Sequence, residues 1–516
     1  MPFASVILLL FVAPSLAFGQ GSLTNVTATP SNPAAGAGTI YTINFTSSLA
    51  GVVPNNGKIR LTFPTGFDVV NATLAQNISG LNGGYADVTP AGQIVTLTRD
   101  GLGVALPGAA AASFRVAVVN NATLAAGYRV FVETLTNANA PIDTATSALF
   151  NITPGPVQRF AFDAVSTVTA GVPFNLIIRA KDIYNNTVTS FTGTLSLFDI
   201  TNTLNPPTAV IASNGTVTVS NATITKAQTS VLITAVSGSL NGTSNAFNVV
   251  HGPLNHFAVT GTSGIIGSQV AGTPFNIRLV AQDFYKNTVT AFTGNVTLSN
   301  TTSSITPITS GNFSSGILFS QAVTINKIAS ADSITASGGV PVQTGSSNGF
   351  FVGSGNLAGF QIDLVPSPQI AGVPFPVKVT ALDPNGNTAT DFTGTVNFSL
   401  TGGFLAPGVS GNFVAGVWNG NLTALTSGTG KIINVTDGTF NISSNAFTVN
   451  PATAASFTVT NATDGPIAAQ TAGTNFSIKI TARDANGNVA TGFIGTVDLA
   501  DNTGTLTPGA ATITTG

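Results

Sequence analysis

Along most of the chain, apolar residues alternate with polar ones at a period of two. From Phe275, the series Phe275, Ile277, Leu279 and Ala281 alternates with Asn276, Arg278, Val280 and Gln282. Phe375, Val377, Val379 and Ala381 do the same against Pro376, Lys378, Thr380 and Leu382. This alternation predicts strands with one face in a core and the other largely outside. Further runs, such as NVTLSN (295–300), GILFSQAVTIN (316–326) and DSITASG (332–338), follow between Gly, Asn and Ser. About seven or eight short strands per hundred residues predict a sandwich of two sheets.

The pattern also repeats over a longer distance. An Ala-Gly pair falls at 170–171, 271–272, 371–372 and 472–473, in steps of 101, 100 and 101 residues. Phe160, Phe257, Phe360 and Phe457 open the units, and SNAFNV (244–249), SNGFFV (347–352) and SNAFTV (444–449) close three of them. Markers in a fixed order at one period indicate tandem modules. Residues 21–153 lack these markers but carry GKIRLTFPTGF, IVTLTRD, SFRVAVV and YRVFVETL, which read as a larger all-β module.

The expected division is a signal peptide at 1–19, an N-terminal sandwich at 20–153 and repeats at 154–252, 253–355, 356–452 and 453–516. ITPGP (152–156) is the expected link to the first repeat. The fourth repeat stops short of its S-N-A-F strand pair, as expected of a fragment of a longer product. In the leader, Val6–Ala13 is apolar, and Ser15-Leu16-Ala17 or Ala17-Phe18-Gly19 offers small residues for cleavage. No later stretch has the roughly 18 apolar residues that predict a transmembrane helix.

Composition narrows the function. Charged residues make up 7% of the chain and net charge is −2, so nucleic acid lacks the basic surface it needs and is excluded as a partner. With no cysteine, disulfides, thiolate metal sites and thiol nucleophiles are absent, and packed cores must supply the stability.

The unit A-G-x-P-F-x-I-x-V-x-A-x-D-x-x-x-N-x-x-x-x-F-T-G-x-V-x-L resembles bacterial immunoglobulin-like domains of the invasin and intimin type and, more loosely, filamin-type repeats. The likeness covers residues 154–516. It implies an all-β rod of tandem immunoglobulin-like β-sandwich modules at a cell surface, serving as stalk or adhesin, and it transfers no binding residue. In the first module, L-T-F-P-T-G-F is faintly similar to the outer sandwich domains of Gram-positive surface adhesins.

The residues themselves offer little chemistry. Asp182, Asp283, Asp383 and Asp484 each precede an asparagine by four residues (Asn186, Asn287, Asn387 and Asn488). D-P-N-G-N and D-A-N-G-N look like the start of a calcium loop, but the twelfth position, which needs a bidentate Glu, is Gly394 or Gly495. The expected role is a turn, in which Asp and Asn accept backbone N–H groups. Phe191, Phe292, Phe392 and Phe493 read as core anchors before a glycine that permits a bulge or close approach. His251 and His256 lack a third ligand nearby in sequence and read as ordinary junction residues. Trp418 reads as core or sheet edge rather than a sugar platform. Nineteen N-x-S/T sequons occur, several inside predicted strands, and the host lineage decides whether they carry glycans.

No catalytic, cofactor-binding or metal residue is assigned, no cofactor is expected, and the chain reads as a non-enzyme. The leading function is a secreted or surface-attached structural and adhesive protein, a stalk that spaces or presents a binding region. Its candidate partners are a cell-surface or matrix protein, a glycan, or another copy of the chain. Strand residues rise about 3.3 Å, so modules roughly nine residues tall stack to about 150 Å end to end. Two other readings are a self-assembling surface-layer or filament subunit, and a non-catalytic accessory region of a larger extracellular enzyme.

Overall fold

The computed structural model describes residues 21–124 and 127–515; the expected signal peptide at 1–19 lies outside them. No helix occurs among the described residues. Few Glu, Lys and Arg and many Thr, Val and Asn favour this outcome, because the chain is rich in strand and turn formers. It divides into two compact units, Met1–Gly252 and Pro253–Gly516.

The first unit holds two hydrophobic cores. Around the first, a six-stranded sheet orders Gly21–Ser22, Pro141–Thr146, Phe131–Leu135, Lys58–Thr62, Ile94–Arg99 and Tyr85–Ala91. A four-stranded sheet of Thr24–Pro30, Gly38–Thr46, Ala111–Val119 and Asp68–Ser79 completes it. Gly38–Thr46 shows why the sheets pack: its alternate residues Tyr41, Ile43 and Phe45 are all buried. Each such side chain contributes roughly 1.5–3 kcal/mol by leaving water. The second core, from Phe160 to Val249, belongs to the first repeat.

In the second unit, cores from Phe257 to Val352 and from Phe360 to Val449 belong to the second and third repeats. The third repeat displays the strand order. Gly359–Ile362 pairs antiparallel with Phe375–Leu382, which pairs with Val417–Ala424. The chain then changes sheet: Gln369–Ile370 runs parallel to Phe447–Asn450, which is antiparallel to Gly428–Lys431. Asn397–Leu400 pairs with Ile433–Thr436, which pairs with Asn441–Ser443, in a further three-stranded sheet. The first and second repeats make the same exchange, with Val168–Thr169 and Gln269–Val270 parallel to their closing strands.

The predicted alternation holds along Phe275–Gln282 with one departure. Val280, expected outside, is buried, with Ala258 and Ile317 as its cross-strand neighbours. Apolar neighbours on both sides close over that position. The fourth repeat has two separate strand pairs, Ser456–Asn461 with Ile478–Arg483 and Gly495–Asp498 with Ala510–Ile513. Phe476 there is 43% exposed, whereas its counterpart Phe375 is 3% exposed.

Candidate functional site

The repeated markers have distinct mechanical tasks. In S-N-A-F, the Asn245 side chain accepts from Val165 N and donates to Val165 O, both at 2.8 Å. Asn348 holds Ile266 in the same way, and Asn445 holds Val365. The preceding Ser244, Ser347 and Ser444 each accept a backbone N–H at 3.0 Å, from Ile233, Ile334 and Ile433. One Ser-Asn pair thus ties the start of the last strand both to a strand shortly before it and, through the asparagine, to a segment near the beginning of the repeat. The following phenylalanine (Phe247, Phe350 or Phe447) is buried in the core.

The F-T-G phenylalanines pack against the opening ones. Ring centroids lie 5.6 Å apart for Phe160–Phe191, 5.3 Å for Phe257–Phe292 and 5.4 Å for Phe360–Phe392. The anchors are half-buried rather than fully enclosed. In the third repeat the glycine lets its own anchor fold back: a Cβ on Gly394 would lie 3.0 Å from the Phe392 ring.

Asp-x-x-x-Asn forms the joint. Asp383 is buried, and its Oδ1 accepts the backbone N–H groups of Asn385 and Asn387 at 2.8 and 2.9 Å. Its Oδ2 accepts Asn387 Nδ2 at 2.9 Å and Gly355 N, in the linker, at 3.0 Å. Asp484 repeats the set with Asn486 N, Asn488 N, Asn488 Nδ2 and Ala452 N. Asp182 does so with Tyr184 N, Asn186 N, Asn186 Nδ2 and Gly155 N. Asp283 likewise takes Tyr285 N, Asn287 N and Asn287 Nδ2.

The asparagine then reaches backwards. A side-chain amide has two hydrogens to give. Asn387 gives one to Asp383 and the other to Asn326 O of the preceding repeat, at 2.7 Å. Asn488 gives its second hydrogen to Leu425 O and accepts Ser427 N, at 2.8 and 2.9 Å. In the first unit, Asn186 gives its second to Ala122 O of the N-terminal module at 2.8 Å. The preceding module presents a glycine at the same joint. Gly272, with φ of 78°, leaves room for Asn385, since a Cβ would fall 2.3 Å from its Nδ2. Gly372 does the same for Asn486. The Ala-Gly turn of one module therefore receives the Asp-Asn turn of the next.

Burial pushes the Asp383 carboxyl upward, but the Asn387 amide and three backbone N–H groups outweigh it and hold the pKa below its ordinary value. Asp182 and Asp484 are lowered by the same balance. Their oxygens accept N–H donors in the manner of an Asp-Asn turn. Among the described residues, no group of three or more His, Cys, Asp or Glu is placed to hold a metal ion. His251 Nδ1 lies 2.7 Å from Gly252 O, and His256 Nδ1 lies 3.3 Å from Asn255 Oδ1. Trp418 is buried, its ring tilted against that of Phe398 with centroids 5.0 Å apart.

Each of the first three repeats has its first strand in one sheet, then a segment parallel to the last strand of the other. The repeats are immunoglobulin-like modules. No family model matches the chain, and no curated protein gives a significant match. Among solved structures, the chain is similar to surface layer protein SbsC, domains 1–6, at 15% identity, covering 93% of this chain and 61% of that one, with a TM-score of 0.21. It is similar to the Escherichia coli adhesin FdeC at 17% identity, covering 58% and 99%, with a TM-score of 0.28. Invasin, a bacterial integrin-binding protein, matches at 13% identity over 84% and 80%, with a TM-score of 0.26. The fold assignment rests on the strand pairing rather than on these scores.

Proposed function

We propose that the chain is a secreted or surface-attached structural and adhesive protein, a stalk of modules that spaces or presents a binding region. The observation that carries this reading is the Asp-Asn clamp, whose amide is spent on the preceding module's backbone at each joint inside a compact unit. A recurrent motif used to join neighbours serves length and stiffness. Net charge near zero and the absence of cysteine suit a passive spacer more than a catalyst.

Small-angle X-ray scattering of the full chain tests the reading. A stalk gives a maximum dimension near 150 Å, from about 3.3 Å per strand residue. A compact particle of much smaller dimension defeats it. Protease treatment of intact source cells then tests location: a surface stalk is cleaved while cytoplasmic markers survive.

A further inference from the structure

In the third repeat, a groove of about 530 Å³ opens on the outer face of the sheet that contains Phe375–Leu382 and Val417–Ala424. Asp363, Leu364, Pro376, Lys378, Asn419 and Asn421 line it together, and its size is that of a small-ligand site. The floor is a strand pair in regular register. In the first and second repeats the corresponding pair shifts, between Phe174 and Leu176 and between Ile277 and Leu279. In the third there is no shift, so Lys378 stands opposite Asn419 and Pro376 opposite Asn421. All four are exposed. Trp418 turns inward below them, and Gly420 leaves it room, since a Cβ there would fall 2.2 Å from the Trp418 ring. Side chains carried on paired strands are held in place before any ligand arrives.

The charged pair in this groove is open. Lys378 Nζ lies 3.9 Å from Asp363 Oδ2, beyond direct hydrogen-bond reach. Its counterpart in the fourth repeat, Lys479, closes on Asp464 at 2.9 Å. The wider gap admits one hydroxyl oxygen about 2.8 Å from each group, accepting from the ammonium and donating to the carboxylate. A single atom that both gives and takes a hydrogen bond satisfies the pair, and a hydroxyl is such a group. Beside it, the carboxamides of Asn419 and Asn421 each offer a carbonyl oxygen and two N–H donors to further hydroxyls. Leu364, 81% exposed, and the Pro376 ring supply carbon surface on which the C–H face of a sugar ring can rest.

We propose that this groove binds a neutral glycan through adjacent hydroxyl groups. The inference rests on the adhesive reading above and gives it a ligand class. One positive and one negative group leave the groove without net charge. A ligand rich in carboxylates sets like charge against Asp363, and one rich in ammonium groups sets it against Lys378. A few polar contacts on an open face make each site weak, with a Kd on the order of 1 mM. Binding gains strength when many copies stand on one surface.

Saturation-transfer NMR of the full chain tests the proposal, with neutral disaccharides of glucose, galactose and N-acetylglucosamine at up to about 10 mM. A disaccharide of glucuronic acid and one of glucosamine serve as the charged probes. At least one neutral disaccharide binds, and more tightly than either charged one. The double variant Asn419→Ala, Asn421→Ala weakens that binding by about tenfold or more, with an unchanged thermal melt because both side chains are exposed. Asn276→Ala, on the corresponding sheet face of the second repeat, leaves it as in the native chain. Silence from every neutral disaccharide overturns the proposal, as does a double variant that binds like the native chain. Preference for the glucuronic acid probe, lost in Lys378→Gln, overturns it in favour of an anionic ligand. An extended chain in scattering that binds none of the neutral sugars loses this inference alone. A compact chain that binds them through Asn419 and Asn421 keeps the groove and loses the stalk.

Discussion

The joint before the first repeat and the joint before the third use one clamp with different fillings. In both, an aspartate gathers four N–H donors and an asparagine donates to a backbone carbonyl of the preceding module. Between them, Tyr184 lies over Gly36 in the first joint, whereas Asn385 lies over Gly272 in the third. The clamp is therefore separable from what it encloses. Its polar part fixes the geometry, while the residue two places after the aspartate sets how much apolar surface the joint covers. An aromatic ring offers more than an amide there, by about 1 kcal/mol or more.

Removing the shared part has the largest effect. Asp383→Ala leaves Gly355 N, Asn385 N, Asn387 N and Asn387 Nδ2 without their acceptor. A loss of about 3 kcal/mol in urea unfolding of that repeat is expected. The glycines separate the two joints. A Cβ on Gly36 meets the tyrosine ring and hydroxyl at 2.0–2.1 Å, while one on Gly272 meets the end of a flexible side chain at 2.3 Å. Both positions have positive φ, so Gly36→Ala and Gly272→Ala share a strain of about 1–2 kcal/mol. The difference measured between the two variants then isolates the stiffness of the tyrosine; equal losses would remove the distinction.

Smaller changes address the bridge itself. Asn387→Ala loses the bonds to Asn326 O and to Asp383 Oδ2, about 1–2 kcal/mol together, and hydrogen exchange at Ile328, whose N–H it accepts at 3.4 Å, becomes faster. Acid provides the mildest perturbation. Asp182 and Asp383 have folded pKa values below the ordinary 3.8, so their contribution is complete above 3.8 and disappears as pH falls through the lowered values. Both joints should loosen in that one acidic window, with no change near neutrality. Melting curves from pH 2 to pH 7 would reveal a joint that departs from this.

The module frame was legible because it is written twice, in the period of two within strands and in the period of a hundred between markers. Phe275, Ile277 and Leu279 needed no structure to be placed on an inward face. The Asp-x-x-x-Asn turn was legible too, since aspartate and asparagine commonly accept nearby backbone N–H groups. What Asn387 does next was not. Its partner, Asn326 O, is a main-chain carbonyl, and a carbonyl leaves no signature in the residue sequence. The same holds for the carbonyls of Val53, Pro54, Asn82 and Val104, which accept the buried Arg99 guanidinium in the N-terminal module. A signal did exist there, because Arg99 continues the inward phase of Val95 and Leu97 and so reads as a buried charge. Val280 shows the opposite failure: the alternation put it outside, and flanking strands covered it.

The parallel pairing of Gln369–Ile370 with Phe447–Asn450 has a consequence under load. A pull on the two ends of this repeat draws these neighbouring segments along each other, so their bonds resist in shear and must break together. The antiparallel neighbours at a hairpin would instead open one bond at a time. Asn445 ties a segment near the start of the repeat to its last strand through two hydrogen bonds with Val365. A pull on this repeat would thus be borne by amide groups, which reducing agents do not cut.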